Sequence, residues 1–199
     1  PDPDSLRLLE RLLGEARVAA EQKAACEIIE LVGNLPLALQ IVGAALQMQE
    51  WRSLADYAAS LREERAQLLA RLKIRGDPHL DVRASFLLSL KLLEAEEIDF
   101  FACLSVCAED GFSVQTAMAA GDCDESTAYE RLVYLYRLSL LNRPRLGLNR
   151  FVFHPLIRLF AQELAIERAL QDEAAERHAR FFVELIKSSE VRDRVVASA

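Results

Sequence analysis

The sequence predicts a mainly α-helical protein, in which a helical bundle is followed by a smaller domain with a short β-hairpin. Apolar residues recur every three to four positions along most of the 199 residues, which is the spacing of amphipathic helices. Glycines and prolines divide this pattern into separate helices. An alternating apolar run at residues 151–153 indicates a strand late in the chain.

Length and composition predict a soluble, cytoplasmic protein of one or two domains. The 52% apolar content is enough to bury sizeable cores. No apolar run approaches the ~20 residues of a membrane-spanning helix, and there is no signal-peptide pattern. The chain opens with Pro-Asp-Pro-Asp rather than Met, which indicates an internal piece of a longer polypeptide. The net charge of −7 argues against a surface that binds nucleic acid or anionic membrane as a whole.

Helical spacing dominates the first 72 residues. Gly14 and Gly33 each end a predicted helix, as glycine commonly does at this position. Pro36 lies where proline is favoured, in the first turn of the next helix. Trp51 is the first apolar position of a further helix. The predicted helices cover residues 6–13, 25–32, 36–48 and 51–72.

The clearest break in the chain is the segment Arg-Gly-Asp-Pro at residues 75–78. We therefore predict a helical domain at residues 1–76, a second domain at 77–169 and a C-terminal helical linker at 170–199. No period of 20 to 50 residues repeats within the chain, although the last helix is suited to lead into a repeat array.

The second domain is predicted to contain several helices before its hairpin. An apolar stripe at residues 82–93 indicates the first helix, and residues 94–107 and 114–120 indicate two more. Asp122 or Asp124 is suited to cap the helix that follows.

The hairpin is predicted from residues 151–153, which are expected to pair with Leu140 and Leu141. A tight connection at residues 142–150 would join the two strands. Three helices followed by a two-stranded hairpin is the order of a winged-helix domain.

The cysteines are expected to be plain core residues in a reducing compartment. Cys103 and Cys107 lie four positions apart on a predicted helix and so share a face. No histidine lies near them to complete a zinc site. Cys26 and Cys123 are too scattered to indicate a disulfide framework.

The sequence lacks the motifs of nucleotide hydrolysis. No glycine-rich loop ends in lysine, as the phosphate-binding P-loop (Walker A) requires, and no apolar strand ends in paired carboxylates for magnesium. The three histidines lie in unrelated contexts, and there is no Gly-x-Ser-x-Gly turn. We therefore expect neither catalytic residues nor a metal site in this chain.

Two motifs, taken in order, carry a family resemblance. The segment IIELVGNLPLALQIVGAAL, residues 28–46, resembles the G-L-P-L-A-L stretch of the NB-ARC ATPases, which are regulatory switch ATPases of the STAND class. The segment RFVFHPLIRLFAQELA, residues 150–165, resembles its MHD motif in the bacterial form. Residues 82–93 and 132–141 resemble the start and the third helix of its winged-helix domain, so the resemblance covers residues 20–185.

The resemblance implies an architecture and two ligand contacts. The chain would comprise the helical and winged-helix domains that follow an upstream nucleotide-binding domain. In the family, the proline that matches Pro36 packs against the adenine of ADP or ATP, and the histidine that matches His154 contacts the β-phosphate of ADP. Both contacts suit the chemistry, because proline presents an apolar ring and histidine donates to phosphate oxygens. The nucleotide is expected in the full-length protein, an ATPase switch, and not in this chain alone.

The sequence departs from the family pattern at two positions. Asn34 replaces the usual glycine, which is a conservative change because asparagine also tolerates left-handed backbone at a helix end. Pro155 replaces the usual aspartate after the histidine, so any role of that aspartate in holding the closed form is lost or moved. Arg158 is expected to pair with an acidic neighbour or to lie at the helical surface rather than to bind phosphate.

Three functions stay open on the sequence. The first is a regulatory switch module that closes over ADP in the upstream domain and relays its state to a downstream sensor or repeat domain. The resemblance also implies self-association of the full-length protein in its ATP state, on which the sequence itself is silent. The second is a DNA-binding regulator of the winged-helix type. The third is a helical adaptor without a ligand. The resemblance favours the first.

Local charge bears on the DNA-binding alternative. Residues 124–154 contain five arginines (131, 137, 143, 145 and 150) and three acids (124, 125 and 130), so five minus three gives a balance of +2. The expected recognition helix begins Asp-Glu-Ser-Thr, and these acids would meet phosphates unfavourably. DNA is therefore a disfavoured partner, and no membrane partner is expected.

Overall fold

The computed structural model describes residues 2–72, 80–143 and 150–197. By their contacts these residues divide into two compact units. The first unit contains the residues up to Glu94 together with Arg137–Leu140, and the second contains Ala95–Tyr136 and the described residues from Leu141 onward. The chain is mainly α-helical, as the sequence predicts.

The first unit is a helical bundle. Its helices are α1 (Pro3–Leu13), α2 (Glu15–Ala20), α3 (Gln22–Leu31), α4 (Pro36–Met48), α5 (Leu54–Leu72) and α6 (Leu80–Leu90). α4 packs against both α1 and α6, while α3 packs against α5. Between Ala38 and Leu46, every residue of α4 except Gln40 is buried, so this apolar helix forms much of the core.

A close approach of two helices fixes one glycine of α4. A Cβ atom built on Gly43 would lie 2.6 Å from Cδ1 of Leu12 in α1. That distance is too short for any side chain, so the backbone of α4 at Gly43 provides the surface on which Leu12 packs.

α5 begins later than the sequence predicts, because its start is set by capping groups. The Ser53 hydroxyl accepts a hydrogen bond from the backbone N–H of Asp56 at 3.0 Å. The carboxylate of Glu21 accepts from the N–H groups of Leu54 and the next residue, at 3.0 and 3.1 Å. Trp51 therefore lies before the helix, where 82% of its surface is exposed, and its assignment to the helix was wrong.

The second unit is built from the remaining elements. These are α7 (Ala95–Cys103), a short 3₁₀ helix (Leu104–Val106), β1 (Phe112–Ser113), α8 (Val114–Gly121), α9 (Glu125–Arg137), β2 (Arg150–Phe151), α10 (Pro155–Glu167) and α11 (Gln171–Ala197). The helix predicted at residues 94–107 thus changes to 3₁₀ geometry after Cys103 and ends before Cys107. Both of these cysteines are buried, which confirms them as core residues.

The predicted hairpin is wrong in its pairing. β2 pairs with β1 in antiparallel register, with Phe151 opposite Phe112. Beyond β2, Val152 forms a bridge to Asn142, with N–O distances of 2.8 and 2.9 Å. Leu140 and Leu141 are therefore not the strand partners. β1 has two residues, too few to show an alternating pattern in the sequence.

Asp124, rather than Asp122, caps α9. Its carboxylate accepts hydrogen bonds from the backbone N–H and the hydroxyl of Thr127, at 3.0 and 2.7 Å. Asp122 instead ends α8 in a left-handed conformation with φ of 51°.

The break predicted at residues 75–78 lies outside the described residues, so the domain boundary stays a prediction. The described residues divide after Glu94, since α6 packs on α4 and α5. Within residues 2–72, 80–143 and 150–197, no helix has both the length and the apolar character needed to cross a bilayer.

Candidate functional site

The segment that contains Pro36 is a tight turn between α3 and α4. Gly33 and Asn34 both adopt left-handed backbone, with φ of 63° and 56°. In this conformation their N–H groups bond back to the carbonyls of Glu30 and Ile29, each at 3.0 Å, which satisfies the end of α3. The turn therefore explains why a glycine and an asparagine stand together before the proline.

The left-handed backbone of Asn34 confirms the conformational reason for accepting asparagine in place of glycine. Its side chain also has a partner, since Oδ1 accepts a hydrogen bond from the backbone N–H of Asp2 at 3.0 Å. Asp2 caps α1, so Asn34 ties the turn to the start of the chain's first helix.

Pro36 is exposed at the first position of α4. Its ring has no N–H to lose there, which is why proline is favoured at this position. The preceding Leu35 has extended backbone and no side-chain acceptor to cap the helix. The turn therefore presents an apolar ring beside the first backbone N–H groups of a helix.

His154 lies in the second unit, between β2 and α10. It is the N-cap residue of α10, and its Nδ1 accepts a hydrogen bond from the backbone N–H of Leu156 at 3.2 Å. Pro155 follows at the first helical position, where the missing N–H costs nothing. Proline at position 155 thus fits the start of a helix.

The cap fixes the protonation state of the His154 ring. Because Nδ1 accepts a hydrogen bond, the neutral ring carries its proton on Nε2. Partial burial lowers the pKa of His154, which favours this neutral form. The ring can therefore stabilise the helix at one nitrogen and donate to an acceptor at the other.

Arg158 lies one turn further along α10. Its Nη1 donates to the carbonyl of Cys107 at 2.7 Å, and its Nε lies 3.8 Å from the carboxylate of Glu109. These contacts confirm the prediction of an acidic neighbour. Phe153, Pro155 and Arg158 line a small cavity of about 210 Å³.

Pro36 belongs to the first unit and His154 to the second. A wider groove of about 1070 Å³ in the second unit is lined by residues of α8, α9 and α11, among them Gln115, Tyr129 and Phe182, and by neither predicted site residue. The predicted site thus consists of a helix start in each unit.

Two residues that the sequence analysis did not single out contact the turn before Pro36. Asp81 of α6 lies against Gly33, and Arg65 of α5 lies beside Asp81. No spacing rule links residues 33, 65 and 81, because they are brought together only by the packing of three helices. They were therefore not accessible to motif analysis.

No protein-family model matches the sequence. The chain is 33% identical over 162 residues to regulatory protein AfsR of Streptomyces griseus, and 32% identical over 169 residues to regulatory protein AfsR of Streptomyces coelicolor. These matches cover 81% and 85% of the chain but 16% of each relative. The chain is therefore similar to one segment of two much longer proteins that are named for a regulatory role.

Proposed function

We propose that the chain is a regulatory segment of an NB-ARC-type nucleotide-dependent switch, which closes over ADP held by an upstream domain. The observation that carries the proposal is the geometry of His154. Its cap leaves Nε2 as the protonated nitrogen, which is the group that donates to a phosphate oxygen. The same residue stands at the position that the family resemblance assigns to the β-phosphate contact.

The turn at Pro36 supports the adenine contact. An exposed pyrrolidine ring offers an apolar surface to a base, and the adjoining N–H groups suit polar ring atoms. Asn34 keeps the left-handed backbone that a glycine would supply. Asparagine in place of glycine therefore does not change how the turn exposes the Pro36 ring. Pro36 would then contribute the adenine contact that the family resemblance implies, separately from the phosphate contact of His154.

The proposed architecture follows the predicted domains. Residues 1–76 would be the helical domain, residues 77–169 the winged-helix domain and residues 170–199 a helical linker. The short antiparallel sheet of β1 and β2 between helices supports the winged-helix assignment. The chain itself would not be catalytic; the full-length protein would be a cytoplasmic ATPase switch with an upstream nucleotide-binding domain and a downstream sensor or repeat domain.

The relatives support the regulatory part of this proposal. Both are named regulatory proteins, and each is long enough to contain further domains around the matched segment. Their name fits a DNA-binding regulator equally well. The choice between the two therefore rests on the site.

The test is the amount of ADP that copurifies with the full-length protein, compared with two variants. His154→Asn keeps a side-chain acceptor for the helix cap but removes the donor on Nε2, whereas His154→Ala removes both. We expect near-stoichiometric ADP in the unsubstituted protein and a clear loss in both variants.

A matched control separates loss of a cap from loss of the phosphate contact. Ser113 caps α8 by accepting from the N–H of Thr116 at 3.2 Å, so Ser113→Ala removes a cap elsewhere in the same unit. ADP occupancy should stay at the unsubstituted level in this variant. Full occupancy in His154→Asn would exclude the phosphate contact.

A DNA-binding regulator is the alternative. Several arginines of the second unit already have intramolecular partners, since Arg131 lies over the Phe100 ring and Arg143 over the Phe151 ring. Arg150 donates to the carbonyl of Gly111. Arg145 lies outside the described residues. Salt-dependent binding of duplex DNA at low micromolar protein would support this alternative, and no binding at moderate salt would oppose it.

A helical adaptor without a ligand makes a different prediction for the same variants. Changing Pro36 or His154 would then alter the stability of the protein at most. Equal nucleotide content in Pro36→Ala, His154→Asn and the unsubstituted protein would favour the adaptor.

A further inference from the structure

The turn before Pro36 is in direct contact with α6. A Cβ atom built on Gly33 would lie 2.6 Å from Oδ2 of Asp81, which is in the first turn of α6. The carboxylate thus occupies the space that any side chain at position 33 would need. The absence of a side chain at Gly33 therefore lets the start of α6 pack directly against the turn.

Arg65 of α5 connects the carboxylate to the end of α3. Its Nη2 lies 3.1 Å from Oδ1 of Asp81, and its Nη1 donates to the carbonyl of Leu31 at 3.3 Å. Leu31 is the last residue of α3, where carbonyl groups lack a partner within the helix. One guanidinium therefore links the end of α3 to the carboxylate that lies against Gly33.

The ion pair of Arg65 and Asp81, which joins α5 to α6, is more sheltered than the pair of Arg62 and Glu27, which joins α5 to α3. The side chains of Arg65 and Asp81 are 33% and 20% exposed, against 59% and 35% for Arg62 and Glu27. Interactions between partly buried charges are screened less by salt than those at the surface. Arg62 and Glu27 therefore provide an internal comparison for the role of Arg65 and Asp81.

Burial raises the pKa of Asp81, and the attraction of Arg65 lowers it by less. Folding therefore disfavours the charged carboxylate on balance. An asparagine of the same shape would remove this penalty together with the attraction of Arg65. What the carboxylate contributes at this position is its contact with Gly33 and with Arg65.

We propose that Asp81, held by Arg65, is a positioning residue that fixes the Gly33–Pro36 turn. It thereby determines how tightly Pro36 contacts the nucleotide. The inference rests on the proposed function and extends it from the ligand contact to α6. A movement of α6 would loosen the turn, so the rate of nucleotide release would depend on the position of α6.

The test is the rate at which a fluorescent ADP analogue dissociates from the full-length protein. Asp81→Asn should accelerate dissociation about tenfold, in the range typical of coupling between neighbouring sites. Its thermal midpoint should change little, because the cost of burying the charge and the attraction of Arg65 are removed together. A residue with a merely structural role would not combine faster release with unchanged stability.

Two further variants complete the design. Arg65→Met should also accelerate release, and combining it with Asp81→Asn should add little, since the two residues act through one contact. Arg62→Met removes the comparison pair between α5 and α3 and should release the analogue at the unsubstituted rate. Asp81→Asn preserves the shape of the side chain, so this variant still tests the positioning role if Arg65→Met folds poorly.

The outcomes separate this inference from the proposed function. Unsubstituted release rates in both Asp81→Asn and Arg65→Met would overturn the positioning role and leave the proposed function intact. Acceleration by Arg62→Met to the same extent would overturn it too, because the effect would then be general loosening of the bundle. Failure of the unsubstituted protein to bind ADP would overturn the proposed function and this inference together.

Discussion

The guanidinium of Arg177 in α11 donates two hydrogen bonds, at 2.9 and 3.2 Å, to the carbonyl oxygen of Ala120 near the end of α8. The carbonyls at a helix C-terminus carry partial negative charge and lack intrahelical partners. A cation there both satisfies a carbonyl and complements the helix dipole. Arg177 thus anchors the long C-terminal helix α11 to α8 within the second unit.

Replacing Arg177 by methionine should lower the free energy of unfolding by about 1–3 kcal/mol, the usual cost of losing hydrogen bonds to a charged group. Denaturant unfolding followed by circular dichroism measures this loss. Arg180→Met is the matched control, because Arg180 forms an exposed ion pair with Glu176 of the same helix. Losing this pair should lower the free energy of unfolding by less than about 0.5 kcal/mol. Equal effects in the two variants would contradict the anchoring role.

The stability of the protein should fall as the pH is lowered below about 6.5, the ordinary pKa of histidine. Partial burial lowers the pKa of His154, so the unfolded chain takes up this proton at a higher pH than the folded one. The stabilisation is therefore complete above pH 6.5 and is lost as the pH falls. Thermal midpoints between pH 5 and 8 should show a shallower decline in His154→Asn than in the unsubstituted protein.

His178 requires its own control in this experiment. Burial also lowers the pKa of His178, which packs on the Phe182 ring at 5.0 Å between centroids. His178→Gln should reduce the pH dependence independently, and the effects of the two substitutions should add. A decline that His154→Asn leaves unchanged would show that the cap does not titrate in this range.

Replacing Asn34 by glycine should cost less stability than replacing it by alanine. Its φ of 56° costs an ordinary side chain about 1–2 kcal/mol, whereas glycine adopts it without penalty. Asn34→Ala should therefore lower the unfolding midpoint in urea more than Asn34→Gly does. Both variants lose the bond to the N–H of Asp2, so their difference isolates the backbone term. The reverse order would mean that the turn relaxes when the side chain changes.

Cys107 should resist thiol reagents until the protein unfolds. Burial raises its pKa to about 12, so the reactive thiolate is scarce at neutral pH, and the residue is fully shielded from solvent. Cys26 and Cys123 are only half-buried and should react first. Peptide mapping after timed alkylation would reveal this order, and early modification of Cys107 would contradict its placement.

The sequence predicted those features that depend on neighbours along the chain. The helix from Pro36 to Met48 and the end of α1 at Gly14 follow from proline and glycine at helix boundaries. The cap at Asp124 was one of two candidates. Such signals are local, so a single sequence contains them.

Features that depend on distant partners escaped prediction. β1 at Phe112 exists because Phe151 lies opposite, and α5 starts at Leu54 because Glu21 reaches it from the junction of α2 and α3. The contact between the Asp81 carboxylate and Gly33 likewise joins residues that no sequence periodicity relates. In the candidate site, Pro36 and His154 came from a family resemblance, whereas the residues that support them came from packing.

The double role of the His154 ring restricts which amino acids position 154 can accept. One edge of the ring takes a hydrogen bond from the helix while the opposite edge offers a proton, and the rigid ring holds the two directions apart. Serine or aspartate could begin the helix as well, and arginine could offer protons, but neither type does both at this spacing. A substitution that loses the acceptor would therefore also change how α10 begins, whereas one that keeps an acceptor, as His154→Asn does, removes the donor on Nε2 alone.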